Sequence, residues 1–348
     1  MDRPAFLWPI TDHLNLVFCM LKSPNMTKII VEICQNHNGN RELFGKMIEG
    51  AAKNGADIIK MQSIFSADVT RRERFEEGET GESGKQTAIK RPYQAEVDRL
   101  SKLDLTIDDH KFFIEKCNEL GVMPMTTIFA RGRVREVREL PWTGKTVKVA
   151  SYDCASKPML RELAEYFEHF IISTGAMYDN EIKETAELMK ELGKDFVFLH
   201  CVTSYPNTPE MSHLSRMDWL KQFTPHVGWS DHTKVSENGI NAAKIAIMLG
   251  ADYVERHFTI LPADQTKDGP ISITPELLKE LSDFRSLSKE EQKADIEKNI
   301  PNWEVSLGTP TREMTDAELL NRDYYRGRFA TKNSAGEWVD NWEEKSIQ

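Results

Sequence analysis

From Lys28 onward, short runs of β-branched and other apolar residues alternate with longer stretches in which apolar residues recur every three or four positions. The runs are KIIVEI (28–33), DIIKMQ (57–62), VMPMTT (122–127), TVKVA (146–150), HFIIST (169–174), FVFLHC (196–201), HVGWS (226–230) and DYVERHF (252–258). Near-continuous apolar runs of this length fit strands covered on both faces of a parallel sheet. Between most of them lie amphipathic patterns that predict helices. RELFGKMIEGAAKNG follows the first run and SENGINAAKIAIMLG precedes the eighth, each closing on a glycine suited to a helix C-terminus. Eight strand–helix units over roughly 260 residues predict an α/β fold, a (β/α)8 TIM barrel with a C-terminal extension, since such barrels typically take about 250 residues. A doubly wound open sheet is the alternative.

The alternation divides the chain into an N-terminal extension (1–26), the barrel (27–290) and a C-terminal linker or arm (291–348). The extension holds LNLVFCML (14–21), apolar but short of the about 20 residues that span a bilayer. It lacks a basic n-region and an A-x-A site, so the extension is read as a poorly ordered segment or an overlong start and is assigned no function. The second unit carries a charged insertion, RRERFEEGETGESGKQTAIKRPYQ (71–94). It reads as a surface loop, or as one that closes over substrate if it lies on the catalytic side. After Leu287 the chain turns polar, with Trp303, Trp338 and Trp342.

At 40% hydrophobic residues the chain can bury a full-sized core. Its net charge of −10 argues against a nucleic-acid or membrane surface, so any anionic ligand must meet a local basic pocket. The five cysteines form no CxxC pair, as expected of reduced thiols in a cytoplasmic protein.

In such a barrel the chemistry sits at the C-terminal strand ends, and nearly every predicted strand supplies polar groups there. They are Glu32, Asn36 and His37; Lys60 and Gln62; Thr126 and Thr127; Lys148, Ser151 and Asp153; Ser173 and Thr174; His200, Thr203 and Tyr205; Ser230, Asp231 and His232; and Glu255 and His257. A single Ser or Thr in such a place often only caps the next helix. Lys60 and Lys148 weigh more, because a lysine inside an apolar strand must desolvate its ammonium unless an anion compensates it. Two of them with several hydroxyls point to a multiply charged anion, such as one bearing a phosphate and a carboxylate. His232 and His257, on consecutive strands, with Glu32 and Asp268 as nearby carboxylates, point to a divalent metal. Cys34, Cys154 and Cys201 read as buried fillers rather than ligands.

VEICQNHNGN, IIKMQ, TTIF, VKVAS, IISTGA, LHCVTSYP, WSDHT and ERHFT, in this order, resemble the sialic acid synthase family, the synthases of N-acetylneuraminate and related nonulosonic acids. The resemblance covers about Lys28 to Leu287. It implies condensation of phosphoenolpyruvate with a sugar aldehyde, N-acetylmannosamine or a relative, to a 2-keto-3-deoxy sugar acid and phosphate. It also implies a divalent cation, manganese ahead of magnesium or cobalt, on His232 and His257. By the same resemblance Lys60, Thr127 and Lys148 hold the phosphoenolpyruvate carboxylate, and Ser151, Ser173 and Ser230 its phosphate. Glu32, with Lys60 and Lys148, is catalytic, and Gln62, Asp153, Tyr205 and Asp268 face the sugar. Asp153 and Thr203 stand where bacterial members often have glutamate and asparagine, so the sugar need not be N-acetylmannosamine. Only the connection into the family's C-terminal antifreeze-like domain, and perhaps its first strand, is recognisable in LLNRDYYRGRFATKNSAGEW, leaving Arg326 or Arg328 to replace the arginine which that domain supplies. A homodimer through the barrel is expected. A Schiff-base aldolase using Lys148 or Lys60 and a non-catalytic sugar-binding barrel are the alternatives.

Overall fold

The structure is a computed structural model and describes residues 26–347, so nearly all of the expected N-terminal extension lies outside the described residues. Eight parallel strands follow the predicted runs to within a residue or so: β1 (Lys28–Glu32), β2 (Ile58–Ser63), β3 (Met123–Ile128), β4 (Thr146–Val149), β5 (His169–Ser173), β6 (Asp195–Cys201), β7 (Val227–Asp231) and β8 (Tyr253–Phe258). Each pairs with the next in chain order. β8 then closes on β1, with Ile30 opposite Glu255 and Glu32 opposite His257, so the sheet is a barrel and not an open doubly wound layer.

Alternation along the strands separates two apolar regions. Outward residues such as Ile29 and Val31 meet the inner faces of the surrounding helices, for example Phe44, Met47, Ile48 and Ala51 of Arg41–Lys53. Inward residues Ile30, Ile58, Met125, Ile171, Val197 and Leu199 fill the lower barrel as a second, enclosed cluster. That plug closes one end, so whatever the strands carry two residues further on faces the open end.

Helix Arg41–Lys53 begins on Asn40, whose side chain accepts a hydrogen bond from Leu43 N at 2.9 Å. It ends before Gly55, at φ +101°, as the closing glycine predicted. The later pattern SENGINAAKIAIMLG forms two helices, Val235–Asn238 and Asn241–Met248, because Gly239 takes φ +53° between them.

Helix Lys289–Asn299 packs on the barrel through the fully buried Ile296. Beyond it, helix Asp316–Tyr325 and a hairpin of Ala330–Lys332 with Trp338–Asp340 fold back over the open end. Asn321 Nδ2 donates to Thr203 O at 2.9 Å, and Arg322 and Arg326 both pair with Glu181. The 71–94 insertion forms a short helix, Arg74–Glu77, and a small hairpin, which meet the same C-terminal segment. Arg72 donates to the carbonyls of Tyr324 and Arg326, and Phe75 packs edge-on against Tyr324 at 5.2 Å. The insertion is thus a structured wall on the catalytic side.

Candidate active site

Above the apolar plug lies a cavity of about 330 Å3. Glu32, Lys60, Gln62, Thr127, Lys148, Ser151, Ser173, Tyr205, Ser230, His232, His257 and Asp268 line it, so twelve of the thirteen residues to which the resemblance gives a site role converge on one space. The strand pleat explains why. Glu32, Lys60, Thr127 and Ser173 follow the plug residues Ile30, Ile58, Met125 and Ile171 by two positions and point the same way. Thr126, His200 and Asp231, one position out of phase, face the helices instead. Thr126 Oγ1 meets Ser63 Oγ at 2.8 Å, His200 Nε2 meets Ser212 O at 2.8 Å, and Asp231 pairs with Arg256 at 2.6 Å.

The cavity floor is an ionic network. Lys60 pairs with Glu32 and lies 3.5 Å from Glu255, which is 3.7 Å from Lys148. Lys60 Nζ donates to Thr127 Oγ1 at 3.3 Å, Lys148 Nζ to Ser173 Oγ at 2.6 Å, and Ser230 Oγ to Glu255 at 3.3 Å. Burial opposes the charge on Lys60, but Glu255 and Glu32 together outweigh it and raise its pKa above the ordinary lysine value. Burial prevails at Lys148 and lowers its pKa, with Glu255 opposing and Lys60 adding repulsion. Burial also opposes ionisation of Glu255, but Lys148, Lys60 and His257 keep its carboxyl below the ordinary range. Lys148 is therefore the lysine with more to gain from an incoming anion. Ser151 is fixed by Gly175, whose N–H donates to Ser151 Oγ at 3.2 Å. A Cβ at Gly175 would stand 2.8 Å from that oxygen and 2.5 Å from Thr203 Cγ2.

The opening NHNG motif divides its labour. Asn36 Nδ2 donates to Phe258 O at 2.8 Å and Ser272 Oγ at 2.9 Å, tying the β1 loop to β8. His37 accepts from Gly39 N, and burial lowers its pKa to about 4, so it is a neutral brace.

Asp153 is the exception among the expected site residues. Ser151–Asp153 is a 3-10 turn, so consecutive side chains diverge, and Asp153 faces away from the main cavity. It lies buried under the C-terminal segment, where Asn341 Nδ2 donates to Oδ1 at 3.2 Å, and burial raises its pKa to about 7. Expected to face the sugar, it is the one of those residues that does not line the main cavity.

Several lining residues had no role assigned to them from the sequence. Glu255 was legible as a strand-end carboxylate, two positions before His257, but its place between the lysines depends on barrel closure. Gln35, Arg91, Arg99, Lys267, Asn321 and Tyr325 also line the cavity, from loops and helices with no periodic signal. Of the two arginines considered for the C-terminal role, Arg328 reaches the cavity wall and pairs with Glu96. Arg326 turns to Glu181 and stacks on Trp342 at 3.7 Å.

The histidines fit a metal. Their rings are 5.2 Å apart, and His257 Nδ1 is buried with no hydrogen-bond partner among the described residues, 3.9 Å from Asp268. Burial, reinforced by His257, holds the His232 pKa well below the ordinary value, so it presents the neutral imidazole that metals bind.

A family model for the NeuB family matches residues 47–295, most of the barrel. The chain belongs to the NeuB family. NeuB members are phosphoenolpyruvate-utilising nonulosonic acid synthases, metal-dependent in general, and this chain is an enzyme of that carbon–carbon bond-forming class. Over 88% of its length it is 30% identical to an N,N'-diacetyllegionaminic acid synthase of Campylobacter jejuni, covering 96% of that protein. The fold is similar to that of the spore coat polysaccharide biosynthesis protein SpsE of Bacillus subtilis, with a TM-score of 0.66 and 24% identity over 87% of this chain and 78% of the other. It is also similar to that of a sialic acid synthetase of Leptospira borgpetersenii, with a TM-score of 0.64 and 24% identity over 80% of this chain and 93% of the other.

Proposed function

We propose that the chain condenses phosphoenolpyruvate with an N-acylated hexosamine, N-acetylmannosamine or a relative, giving a 2-keto-3-deoxy sugar acid and phosphate. The observation that carries this reading is the cavity floor. Two buried lysines, held by two carboxylates and surrounded by hydroxyls, form a seat for a compact polyanion, with a pair of histidines beside it.

In this reading Lys60, Thr127 and Lys148 bind the carboxylate, and Ser151, Ser173 and Ser230 bind the phosphate. A divalent cation, manganese ahead of magnesium or cobalt, is held by His232 and His257 and supplies Lewis acidity toward the sugar carbonyl. Glu32 is fixed by Lys60 and by the Cys34 N–H, which donates to its Oε1 at 2.5 Å. There its negative charge favours the positive charge that develops at C2 as C3 attacks the aldehyde, and it takes the proton of the water that adds at C2. Gln62, Tyr205 and Asp268 face the sugar, joined by Asn321, Tyr325 and Arg328 of the C-terminal segment. The ring of Tyr205 stands edge-on to His232 at 4.5 Å, which supports a sugar bound beside the cation.

The test is phosphate release from phosphoenolpyruvate with manganese, against a panel of acylated hexosamines and simpler aldoses, with product masses recorded. Release with one sugar, and a product mass equal to that sugar plus the pyruvate unit, supports the proposal. Phosphate release without a sugar-derived product refutes it. Chelation should stop turnover, as should His232→Ala or His257→Ala with the circular dichroism spectrum unchanged.

A further inference from the structure

Cys34 lies just beyond β1 with its side chain only 1% exposed and its backbone held at φ +45°. Its sulfur, a ring nitrogen of His257 and a carboxylate oxygen of Asp268 all lie within 4.8 Å of one another. A buried thiol alone would be an ordinary core filler. Here it shares its surroundings with His257, 7% exposed, whose Nδ1 has no hydrogen-bond partner among the described residues. An unsatisfied buried nitrogen is costly, and a cation on the three grouped atoms would satisfy it, at the expense of the hydrogen bond between the Cys34 thiol and Asp268. The ring of His232 stands 5.2 Å from that of His257, near enough to complete a four-donor set.

We propose that Cys34 is a thiolate ligand of the cation, together with His257 and Asp268, and with His232 as the fourth donor. The proposal rests on the metal part of the function above and changes its chemistry. The Cys34 sulfur bonds to the cation as its S–H bond breaks, and the proton leaves to solvent. A thiolate in place of a further oxygen donor shifts preference away from magnesium and toward cobalt, iron(II) or zinc. Cys201, with its sulfur 3.8 Å from His232 Nδ1, is the competing thiol; like His232 it lies outside the three-residue group, and its contact is with His232 rather than with His257 and Asp268.

The experiment is titration of metal-stripped full-length protein with cobalt(II), followed by absorption spectroscopy. Wild type and Cys201→Ser should show a thiolate-to-cobalt charge-transfer band in the near ultraviolet. Cys34→Ser should lose it and bind cobalt at least about tenfold more weakly. X-ray absorption of the zinc-loaded wild type, which depends on no variant folding, should show one sulfur at about 2.3 Å. The proposal is overturned by cobalt bound without the band, by a band that survives Cys34→Ser, by a zinc shell of nitrogen and oxygen alone, or by no cobalt binding. Metal-dependent phosphate release with a sulfur-free zinc shell would remove Cys34 from the site and leave the synthase reading standing.

Discussion

Replacing Asp153 by asparagine separates a structural role for this side chain from a sugar-binding one. The carboxyl is buried, accepts from Asn341, and has its pKa raised from 3.8 to about 7 by burial. In the unfolded chain it ionises near 3.9, as an exposed aspartate does. Between those values the folded protein keeps a proton that the unfolded chain has released, so this group's contribution to stability falls as pH rises from about 4 to about 7. At about 1.4 kcal/mol per pH unit, the full gap corresponds to about 4 kcal/mol above the window. A neutral amide in its place would retain the shape and an acceptor for Asn341 without ionising. Urea unfolding followed by tryptophan fluorescence should show Asp153→Asn matching wild type at pH 4 and exceeding it at pH 8 by up to about 4 kcal/mol. The KM for the sugar should change by less than about twofold. Parallel pH profiles for the two proteins would refute the burial argument. A rise of about tenfold in sugar KM with unchanged stability would return Asp153 to the sugar side.

Glu255→Gln leaves Lys60 and Lys148 with one carboxylate between them. Stability should fall by about 3–5 kcal/mol, and saturating phosphoenolpyruvate should raise the variant's Tm more than the wild type's. Lys148→Ala removes one charge-assisted contact to the anion, worth about 1.5–3 kcal/mol, so the KM for phosphoenolpyruvate should rise by about tenfold or more in steady-state kinetics. Arg328→Ala should raise the KM for the sugar and leave that for phosphoenolpyruvate unchanged. Equal effects on both would place Arg328 over the anion instead.

The barrel was legible because strands packed on both faces leave near-continuous apolar runs, and eight of them recur between helical patterns. The floor was legible for a related reason: Lys60 and Lys148 interrupt such runs, and the pleat then sends them inward beside Thr127 and Ser173. Glu255 needed the pairing of β8 with both β1 and β7 before its neighbours were known. Asp153 falls outside the main cavity because strand alternation ends at Val149 and a tight turn redirects the next side chains. Arg99 and Arg328 meet at Glu96 across a long sequence separation, which no local pattern encodes.

That meeting at Glu96 bears on how the enzyme keeps its mouth built. Asn321, Tyr325 and Arg328 reach the cavity from the same chain that forms its floor, tethered through Thr203, Glu181 and Glu96. Covalent connection sets their local concentration, so it is independent of how much protein is present. This part of the wall survives dilution, and selection can alter it together with the insertion it grips, within one polypeptide and without adjusting a neighbouring subunit.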